Sequence, residues 1–357
     1  MKFLSLKGCS FKLIFMGKNI MINLDLKNKL IKFIESLNIF CYGFTECRRF
    51  IELKQYFNSK IDKSYLTEFE DKDDVEKRIN PFFYFEDGKT IISIAVPYFR
   101  KDNEYNKCFS KYTQGLDYHY VVNDYLNKIC DFIRNFGYEC KSFCDTNNLP
   151  ERYIAYLCGV GHIGRNSLLY TKKYGSYVFL GEIITNANLC DSFSQEYYDN
   201  KFKEIGVFEH CGKCRNCMKK CPNDVLVEKN FNKCVSNLTQ KKVLDSDEIN
   251  NLNGMIFGCD ICQDVCPKNR NVEYSFEERF NTEEFLKNIK DNDIVNMNNK
   301  FFKDNFKKLS CSWRGKNLLK RNVIIKNKED INFIKSLNFD NNEYLNYYKN
   351  RFFNKKN

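Results

Sequence analysis

The chain has 357 residues, of which 43% are hydrophobic and 16% aromatic, and its formal net charge at pH 7 is +11. A chain of this size can bury a sizeable core and is expected to form two or three domains. No apolar run approaches the roughly 18 residues that span a bilayer, so the composition excludes a membrane-spanning protein. We expect a monomer without a membrane partner.

The N-terminal segment is predicted to be an extension at 1–21. Lys7 and Lys12 interrupt its apolar stretch, and no cleavage site of small residues follows. Both features argue against a signal peptide. Met21 is an alternative start to Met1.

Helices and strands then alternate along the first 200 residues. Apolar residues at helical spacing predict amphipathic helices at 22–40 and 119–136. Short runs rich in branched and aromatic residues predict strands, with a turn at Tyr174-Gly175-Ser176 before the last. These strands are predicted at 90–96, 138–144 and 176–185. The pattern predicts an α+β layer domain, a cysteine-rich insert at about 205–270 and a basic, mostly helical tail.

Two cysteine runs dominate the insert. Residues 211–222 read CGKCRNCMKKCP, and residues 259–267 read CDICQDVCP, which repeats the spacing but lacks the leading cysteine. Cys234 lies between the runs and brings the total to eight, the number that two [4Fe–4S] clusters require. In runs of this type the fourth cysteine binds the other cluster. We therefore assign Cys211, Cys214, Cys217 and Cys266 to one cluster, and Cys221, Cys234, Cys259 and Cys262 to the other.

Zinc is the alternative occupant of these runs, because paired C-x2-C motifs also form tetrahedral sites. A third cysteine at the same spacing and a terminal Cys-Pro are typical of bacterial ferredoxins instead. The other ten of the 18 cysteines are scattered singly. Such cysteines behave as small apolar residues in a reducing cell, so we expect a cytoplasmic protein.

A basic segment follows at 301–328, with nine Lys or Arg against one acidic residue. Basic clusters interleaved with aromatic residues suggest contacts with a phosphate backbone. A solvated helix face is an equally good interpretation from charge alone. Neither a G-x-G-x-x-G motif nor a P-loop occurs, so nucleotide-binding sites of these two kinds are not indicated.

Several motifs together resemble the epoxyqueuosine reductase family. They are CDTNNLPERYIAYLCGVGHIGRNSLLYTKKYGSYVFLGEIIT at 144–185, the two cysteine runs, and SWRGKNLLKRN at 312–322. The likeness extends from about residue 22 to 325. It implies reduction of epoxyqueuosine to queuosine in tRNA, with cobalamin and two [4Fe–4S] clusters as cofactors and flavodoxin or ferredoxin as electron donor.

The resemblance also implies a domain plan. A nitroreductase-like, cobalamin-binding α+β domain is expected at 22–204, a ferredoxin-like domain with two [4Fe–4S] clusters at 205–275, and a small helical C-terminal region at 276–357. The chain ends before the helical repeats of some relatives, so we expect part of the contact with tRNA to be reduced.

Individual residues take roles from the same resemblance. Asp145 matches the proton donor beside cobalt, although by itself it is equally typical of a helix N-cap or Asx turn. Lys242 matches a lysine that faces tRNA, and the basic segment adds Lys316, Lys320 and Arg321 as contacts with the anticodon stem-loop. The remaining residues are expected to contact cobalamin, as Asp145 is: Arg78, Ser110, Leu169, Leu180 and Ser236.

Three other classes remain open from the residues, and the first, a zinc-containing RNA-binding protein, would explain the charge but not the cysteine count. A corrinoid iron–sulfur protein like the reductive dehalogenases has the same cofactors, but the Arg48-Arg49 pair here is internal and no apolar region follows it. An electron-transfer iron–sulfur protein would explain the clusters and leave the first 200 residues without a task.

Overall fold

A computed structural model describes residues 22–70, 74–101 and 103–353, so the predicted extension at 1–21 lies outside the described residues. A four-stranded antiparallel sheet, in the order β1-β2-β6-β3, organises the first half of the chain. A separate pair, β4 and β5, forms a short hairpin. The strands are β1 Tyr42–Glu46, β2 Thr90–Pro97, β3 Cys140–Phe143, β4 His162–Ile163, β5 Leu169–Tyr170 and β6 Val178–Thr185.

Helices cover both faces of the sheet and form most of the second half of the described chain. No helix in the described ranges combines the length and the apolar character that crossing a membrane requires. The helices are α1 Leu24–Ser36, α2 Lys54–Asp62, α3 Val75–Ile79, α4 Tyr118–Arg134, α5 Glu151–Leu157, α6 Gln195–Val207, α7 Asn216–Lys220, α8 Val225–Glu228, α9 Val235–Gln240, α10 Ser246–Asn250, α11 Ile261–Asp264, α12 Glu284–Asn288, α13 Asp291–Asn296, α14 Asn299–Phe301, α15 Lys316–Lys326, α16 Ile331–Ser336 and α17 Glu343–Phe353.

The central strand β2 is buried along its whole length. Because side chains alternate along a strand, Ile92 and Ile94 pack with α1 and α4 on one face, whereas Ile91 packs with α5 on the other. Ser93 lies on the same face as Ile91. The face of β2 toward α5 thus carries a polar residue, Ser93, inside the core, where it contacts the candidate functional site.

The predicted helices and strands are confirmed, with bounds that differ by up to four residues. Helix α1 ends at Ser36, earlier than predicted, because the chain turns at Asn38, which has a φ of 62°. Strand β1 was not predicted. Its Gly43 packs so tightly against the end of α5 that an added Cβ would lie 1.8 Å from the Cys158 carbonyl oxygen. Glycine is required at this position by close packing.

The C-terminal helices share one hydrophobic core with part of the cysteine-rich insert. Leu238, Ile256 and Phe257 pack in the same cluster as Leu319 and Tyr348. The packing is therefore continuous across the predicted domain boundary between residues 275 and 276. It holds α15 and α17 firmly against the insert.

Candidate functional site

The first predicted cysteine group lines one cavity of about 330 Å³. Cys211, Cys214 and Cys217 come from the first run, and Cys266 comes from the end of the second run. Helices α7 and α11, which carry parts of the two runs, pack against each other and bring the runs together. The crossed pattern inferred from spacing thus corresponds to side chains that line a common space.

The second predicted group lies deeper. Burial raises the pKa of the Cys262 thiol, and the nearby thiols of Cys259, Cys234 and Cys221 raise it further, with Cys217 of the first group also close. Burial likewise raises the pKa of the Cys259 thiol to about 12. Bound metal would be needed to keep such buried thiols ionised.

The described cysteines do not have the arrangement of a single-ion site. Within the described ranges, no group of three or more His, Cys, Asp or Glu side chains is arranged to hold one metal ion. A structural zinc would require four ligands at about 2.0–2.3 Å from one centre. The geometry therefore gives no support to the zinc alternative, and eight thiols in two groups suit larger clusters.

Ser110 joins the sheet domain to the second cysteine group. Its hydroxyl donates a hydrogen bond to Asp260, which lies between Cys259 and Cys262. Its backbone N–H donates to the Phe257 carbonyl at 2.8 Å. At Gly258, with a φ of +73°, an added Cβ would lie 2.5 Å from the Ser110 Cβ. A serine fits this junction, and its side chain is fully buried.

Tyr112 lies two residues further on and links this junction to other predicted residues. Its hydroxyl interacts with Ser236, next to Cys234, and burial is the main cause of its raised pKa. Its ring contacts Phe179, whose own ring stacks on Tyr118 at 4.4 Å between centroids. A row of aromatic side chains therefore leads from the second cysteine group toward Tyr118 and Asp145.

Asp145 is exposed and lies in the loop between β3 and α5 with a φ of 52°. The Tyr118 hydroxyl donates to its Oδ2 at 2.6 Å. Its own backbone N–H donates to Glu151 Oε1 at 2.7 Å. Left-handed backbone is tolerated by Asp better than by most residues, and here two hydrogen bonds fix it. The carboxyl group is thus oriented while it stays open to a substrate.

Two further carboxyl groups lie behind Asp145, and sequence reasoning missed both. Burial, and then the charge of Asp145, raises the pKa of Glu151 to about 7. Glu182, on β6, is 1% exposed, and burial followed by Glu151 raises its pKa well above the ordinary value. Its Oε1 accepts from Ser93 at 3.5 Å, and its Oε2 has no hydrogen-bond partner. Burial and the neighbouring Glu151 charge therefore favour the neutral form of Glu182.

The contacts of Leu169 and Leu180 with cobalamin stay predictions. The two side chains belong to one apolar cluster above β2, and the Leu180 carbonyl accepts a weak hydrogen bond from Cys144, the neighbour of Asp145. In the same loop, Asn147 Nδ2 is buried without a hydrogen-bond partner. An oriented carboxyl group and a donor without a partner fit a large amide-bearing cofactor such as cobalamin.

Arg78 lies among different neighbours from the Asp145 group. It is buried, with its NH1 atom 3.2 Å from Glu70 and its guanidinium 5.1 Å from the Phe57 ring centre. Tyr56, which interacts with both Arg78 and Arg152, lies between it and the helix that follows Asp145. The contact of Arg78 with cobalamin stays a prediction.

The predicted tRNA-binding residues separate into exposed and buried positions. Lys242 is exposed and Lys316 is half-buried, whereas Lys320 is largely buried. Burial, and the nearby charge of Lys316, lower the pKa of Lys320 to about 8.

Arg321 is fully buried. Its NH2 atom donates to the Lys241 carbonyl at 2.9 Å, and its guanidinium lies 5.5 Å from the centre of the Tyr348 ring. A phosphate cannot reach a side chain enclosed in this way. The predicted contact of Arg321 with tRNA is therefore wrong, and the residue instead ties α15 to the insert.

An exposed aromatic pair beside Lys242 was also missed. Trp313 and Phe69 are 53% and 39% exposed, and their rings meet edge to face at 5.3 Å. Arg314 lies over both rings and binds Glu68 at 2.9 Å. The backbone N–H of Lys242 also donates to Glu68, at 3.4 Å. Trp313 and Phe69 are 244 residues apart in the sequence, so local sequence pattern could not reveal their contact.

Comparisons with known proteins agree with these observations. A model described as 4Fe-4S double cluster binding domain matches residues 210–269, and one described as epoxyqueuosine reductase QueG, DUF1730, matches residues 78–146. An epoxyqueuosine reductase of Lactococcus garvieae is 31% identical over 313 residues, which cover 84% of this chain and 86% of the relative. One of Bacillus subtilis is 31% identical, with 84% and 78% covered.

Solved structures give the same result. An epoxyqueuosine reductase with an epoxyqueuosine-modified tRNA-Tyr stem loop has a TM-score of 0.80 and 27% identity, over 92% of this chain and 89% of that one. The enzyme of Streptococcus thermophilus has a TM-score of 0.79 and 31% identity, over 91% and 89%. A Bacillus subtilis structure with its catalytic aspartate loop swung out of the active site has a TM-score of 0.77 and 27% identity, over 91% and 88%.

Proposed function

The chain belongs to the epoxyqueuosine reductase family, and we propose that it reduces epoxyqueuosine to queuosine in tRNA, with cobalamin and two [4Fe–4S] clusters as cofactors. The family is an oxidoreductase family that uses both kinds of cofactor, in agreement with the sequence-based expectation. Membership favours this function over a dehalogenase-like enzyme or a simple electron-transfer protein.

The environment of Asp145 carries the proposal. Its carboxyl group is exposed, is oriented by the Tyr118 hydroxyl, and adjoins the aromatic row that leads to the second cysteine group. A proton donor and a path for electrons therefore converge on one region. This convergence supports a reaction that needs a proton and electrons at one carbon–oxygen bond.

The chemistry requires two electrons and two protons, because the epoxide becomes an alkene and its oxygen leaves as water. Bound cobalamin would supply a strongly reducing metal centre for this step. Asp145 would protonate the departing oxygen, and general acids of this kind contribute typically about 10²–10⁴-fold to the rate. Tyr118 and the Glu151 carboxyl hold Asp145 in position through hydrogen bonds to its side chain and backbone.

The cysteines would hold the clusters as two crossed groups. Cys211, Cys214, Cys217 and Cys266 would bind the first, and Cys221, Cys234, Cys259 and Cys262 the second. Ser110, Ser236, Leu169, Leu180 and Arg78 stay proposed contacts of the cobalamin. The proposed domain limits are those given above. The core shared across residue 275 packs the segments 205–275 and 276–357 into one unit.

The proposed tRNA contact is the exposed surface formed by Phe69, Lys242, Trp313, Arg314 and Lys316. Aromatic side chains stack on unpaired bases, and cations contact phosphates, so this combination suits an anticodon stem-loop. The match to a relative that was solved with a modified stem loop supports tRNA as substrate. A monomeric state and a cytoplasmic location stay predictions.

The proposal is tested by turnover on tRNA that carries epoxyqueuosine. Wild-type protein with cobalamin and intact clusters should form queuosine when a chemical reductant is supplied. Asp145→Asn should bind cobalamin, keep its clusters and lose at least about a hundredfold in turnover. The matched control is Asp131→Asn, since Asp131 is an exposed aspartate on the surface of α4. Normal turnover by Asp145→Asn would exclude Asp145 as the proton donor, and absence of queuosine with wild-type protein would refute the function.

A further inference from the structure

The loop that carries the first cysteine group is exposed and strongly basic. The residues between its first three cysteines, namely Gly212, Lys213, Arg215 and Asn216, are all exposed. Lys219 and Lys220 follow on the last turn of α7 and are exposed as well. A cluster held by Cys211, Cys214 and Cys217 would therefore lie only a few side chains from solvent.

The cations of this loop have no anionic partner in the described part of the chain. Each of the 22 ion pairs found there involves other residues, and none includes Lys213, Arg215, Lys219 or Lys220. By contrast, Lys233, Lys241 and Lys111 nearby are all paired with carboxylates. The loop thus offers four positive charges to a partner outside the chain.

An exposed apolar residue adjoins these charges. Val207 is 69% exposed and precedes Phe208, whose carbonyl accepts a hydrogen bond from the Cys211 N–H at 2.9 Å. The Phe208 ring is held between the Arg165 guanidinium at 4.9 Å and the Lys229 ammonium at 5.4 Å. The apolar position is therefore rigidly attached to the cysteine loop. A small apolar centre with a charged rim is the usual composition of a protein docking site.

Most of the second cysteine group lacks such access: burial raises the pKa of Cys234, Cys259 and Cys262, and only Cys221, directly after Lys220, borders the exposed loop. Asp260 within it is 8% exposed and is bound by Ser110 and by the Lys111 N–H at 2.7 Å. The Gly258 N–H is bound by the Thr239 hydroxyl at 2.9 Å. The second group therefore faces the interior and the row that leads to Asp145, whereas the first faces solvent.

We infer that the surface formed by Val207, Lys213, Arg215, Lys219 and Lys220, here named the entry surface, docks an acidic protein that carries single electrons. The inference rests on the proposed function, because it requires clusters in the two cysteine groups. Each docking would oxidise one reduced carrier by one electron and reduce the first cluster by one. Two dockings would supply the two electrons of one epoxide reduction.

RNA is the competing partner for a basic surface, and the residue types argue against it here. Residues 209–224 contain no Phe, Tyr or Trp on which a base could stack, and the one aromatic ring there, that of His210, already lies 3.4 Å from the His162 ring between centroids. The exposed aromatic pair with its cations lies at Trp313 and Phe69 instead. Proximity to the first cysteine group is an advantage only for an electron carrier. The entry surface is therefore better suited to a protein.

The test measures cluster reduction by a purified, reduced flavodoxin under anaerobic conditions in the absence of tRNA. Lys219→Glu with Lys220→Glu should lower the second-order rate at low salt by about tenfold, because charge complementarity accelerates association by 10–10³-fold. The rate for wild-type protein should fall with added salt, and that of the double variant should change less. Lys89→Glu with Lys335→Glu makes the same change of charge at exposed positions elsewhere and should behave as wild type.

Two further measurements distinguish a loss of flavodoxin docking from damage to the clusters themselves. Reduction by dithionite, a small reductant that needs no docking surface, should proceed equally in all three proteins at high salt, where the negative charge of dithionite is screened. Turnover of modified tRNA driven by dithionite should also be equal. If dithionite reduction or iron content falls in the double variant, the test is repeated with Lys213→Gln and Arg215→Gln. This second variant should slow reduction by flavodoxin and leave reduction by dithionite unchanged. An unchanged flavodoxin rate in both variants would overturn the inference.

Loss of tRNA affinity with an unchanged flavodoxin rate would identify the entry surface as an RNA contact and would likewise overturn the inference. Failure of the proposed function is distinguishable from this result. In that case dithionite-driven turnover would be absent in wild-type protein, whatever the rate at which flavodoxin reduces the clusters.

Discussion

Replacement of Glu151 by glutamine should remove a pH-dependent loss of stability. Glutamine keeps an oxygen that can accept the Asp145 N–H, which now donates to Glu151 Oε1 at 2.7 Å, but it cannot ionise. Burial and the charge of Asp145 raise the pKa of Glu151 from 4.5 to about 7, although Arg152 and His119 lower it. Since one pKa unit corresponds to 1.36 kcal/mol, ionising Glu151 in place costs about 3 kcal/mol more than in water.

The sign of the effect follows from the direction of the pKa. A carboxyl group with a raised folded-state pKa stabilises the fold fully below its ordinary pKa, and this contribution is lost as pH rises through about 7. Between pH 5 and pH 8 the wild type should therefore lose roughly 2 kcal/mol from this group, and Glu151→Gln should lose nothing from it. Glu182 adds to the effect in the same direction, because Glu151 raises its pKa and the variant removes that charge.

Thermal midpoints of both proteins at pH 5 and pH 8, measured anaerobically with clusters intact, provide the assay. The midpoint of the variant relative to wild type should rise by a few degrees between the two pH values. Parallel midpoints across the range would refute the reasoning, because they would mean that Glu151 is ionised at low cost. Asp131→Asn is the control, since its carboxyl group is exposed and should leave the difference at zero.

Three other substitutions test separate parts of the molecule. Cys266→Ala should abolish the cluster that includes Cys211 and leave the other intact by iron content and electron paramagnetic resonance, and selective loss of the other cluster would refute the crossed assignment. Lys242→Gln with Lys316→Gln should reduce the slope of log Kd for tRNA against log salt by about 1.5, and an unaltered slope would exclude phosphate contacts. Arg321→Met should destabilise the fold by about 2 kcal/mol in chemical denaturation, because the Lys241 carbonyl loses its charged donor, and should leave that slope unchanged, whereas a flatter slope would restore the discarded tRNA contact.

The elements that were predicted correctly are those whose apolar residues recur at regular spacing along the chain. The apolar stripe of α4 and the buried run of β2 were found because helix and strand periodicity are properties of neighbouring residues. Strand β1 was missed because it is five residues long and contains Gly43, which usually weakens a strand. Its glycine is explained only by the Cys158 carbonyl, more than 100 residues away.

The candidate site was predicted unevenly for a similar reason. The cysteine groups could be assigned because ligand spacing is written in the sequence. The partners of Asp145 could not, because Tyr118 is 27 residues earlier and Glu182 reaches the site from another strand. Glu151 looked like an ordinary first residue of a helix, and its pKa is raised by burial and then by the charge of Asp145, neither of which its sequence position reveals.

The basic segment illustrates why charge in a sequence overstates charge on a surface. Of its nine Lys or Arg, Arg321 and Lys320 are buried, and three others neutralise carboxylates within the protein. Those three pairs are Lys308 with Glu283, Arg314 with Glu68, and Lys326 with Asp291. Burial even lowers the pKa of Lys320 to about 8, so this lysine holds its proton weakly near neutral pH.

The cysteine loop has fewer cations than the basic segment, yet Lys213, Arg215, Lys219 and Lys220 are all exposed and without ionic partners in the described chain. A cation that already forms an ion pair within the protein must give up that pair to bind a partner. The free energy lost with the pair must then be offset by the new contact. Cations without such pairs attract an anionic partner without that cost. Local exposure and pairing, more than the count of basic residues, therefore determine which surface of this enzyme attracts a charged partner.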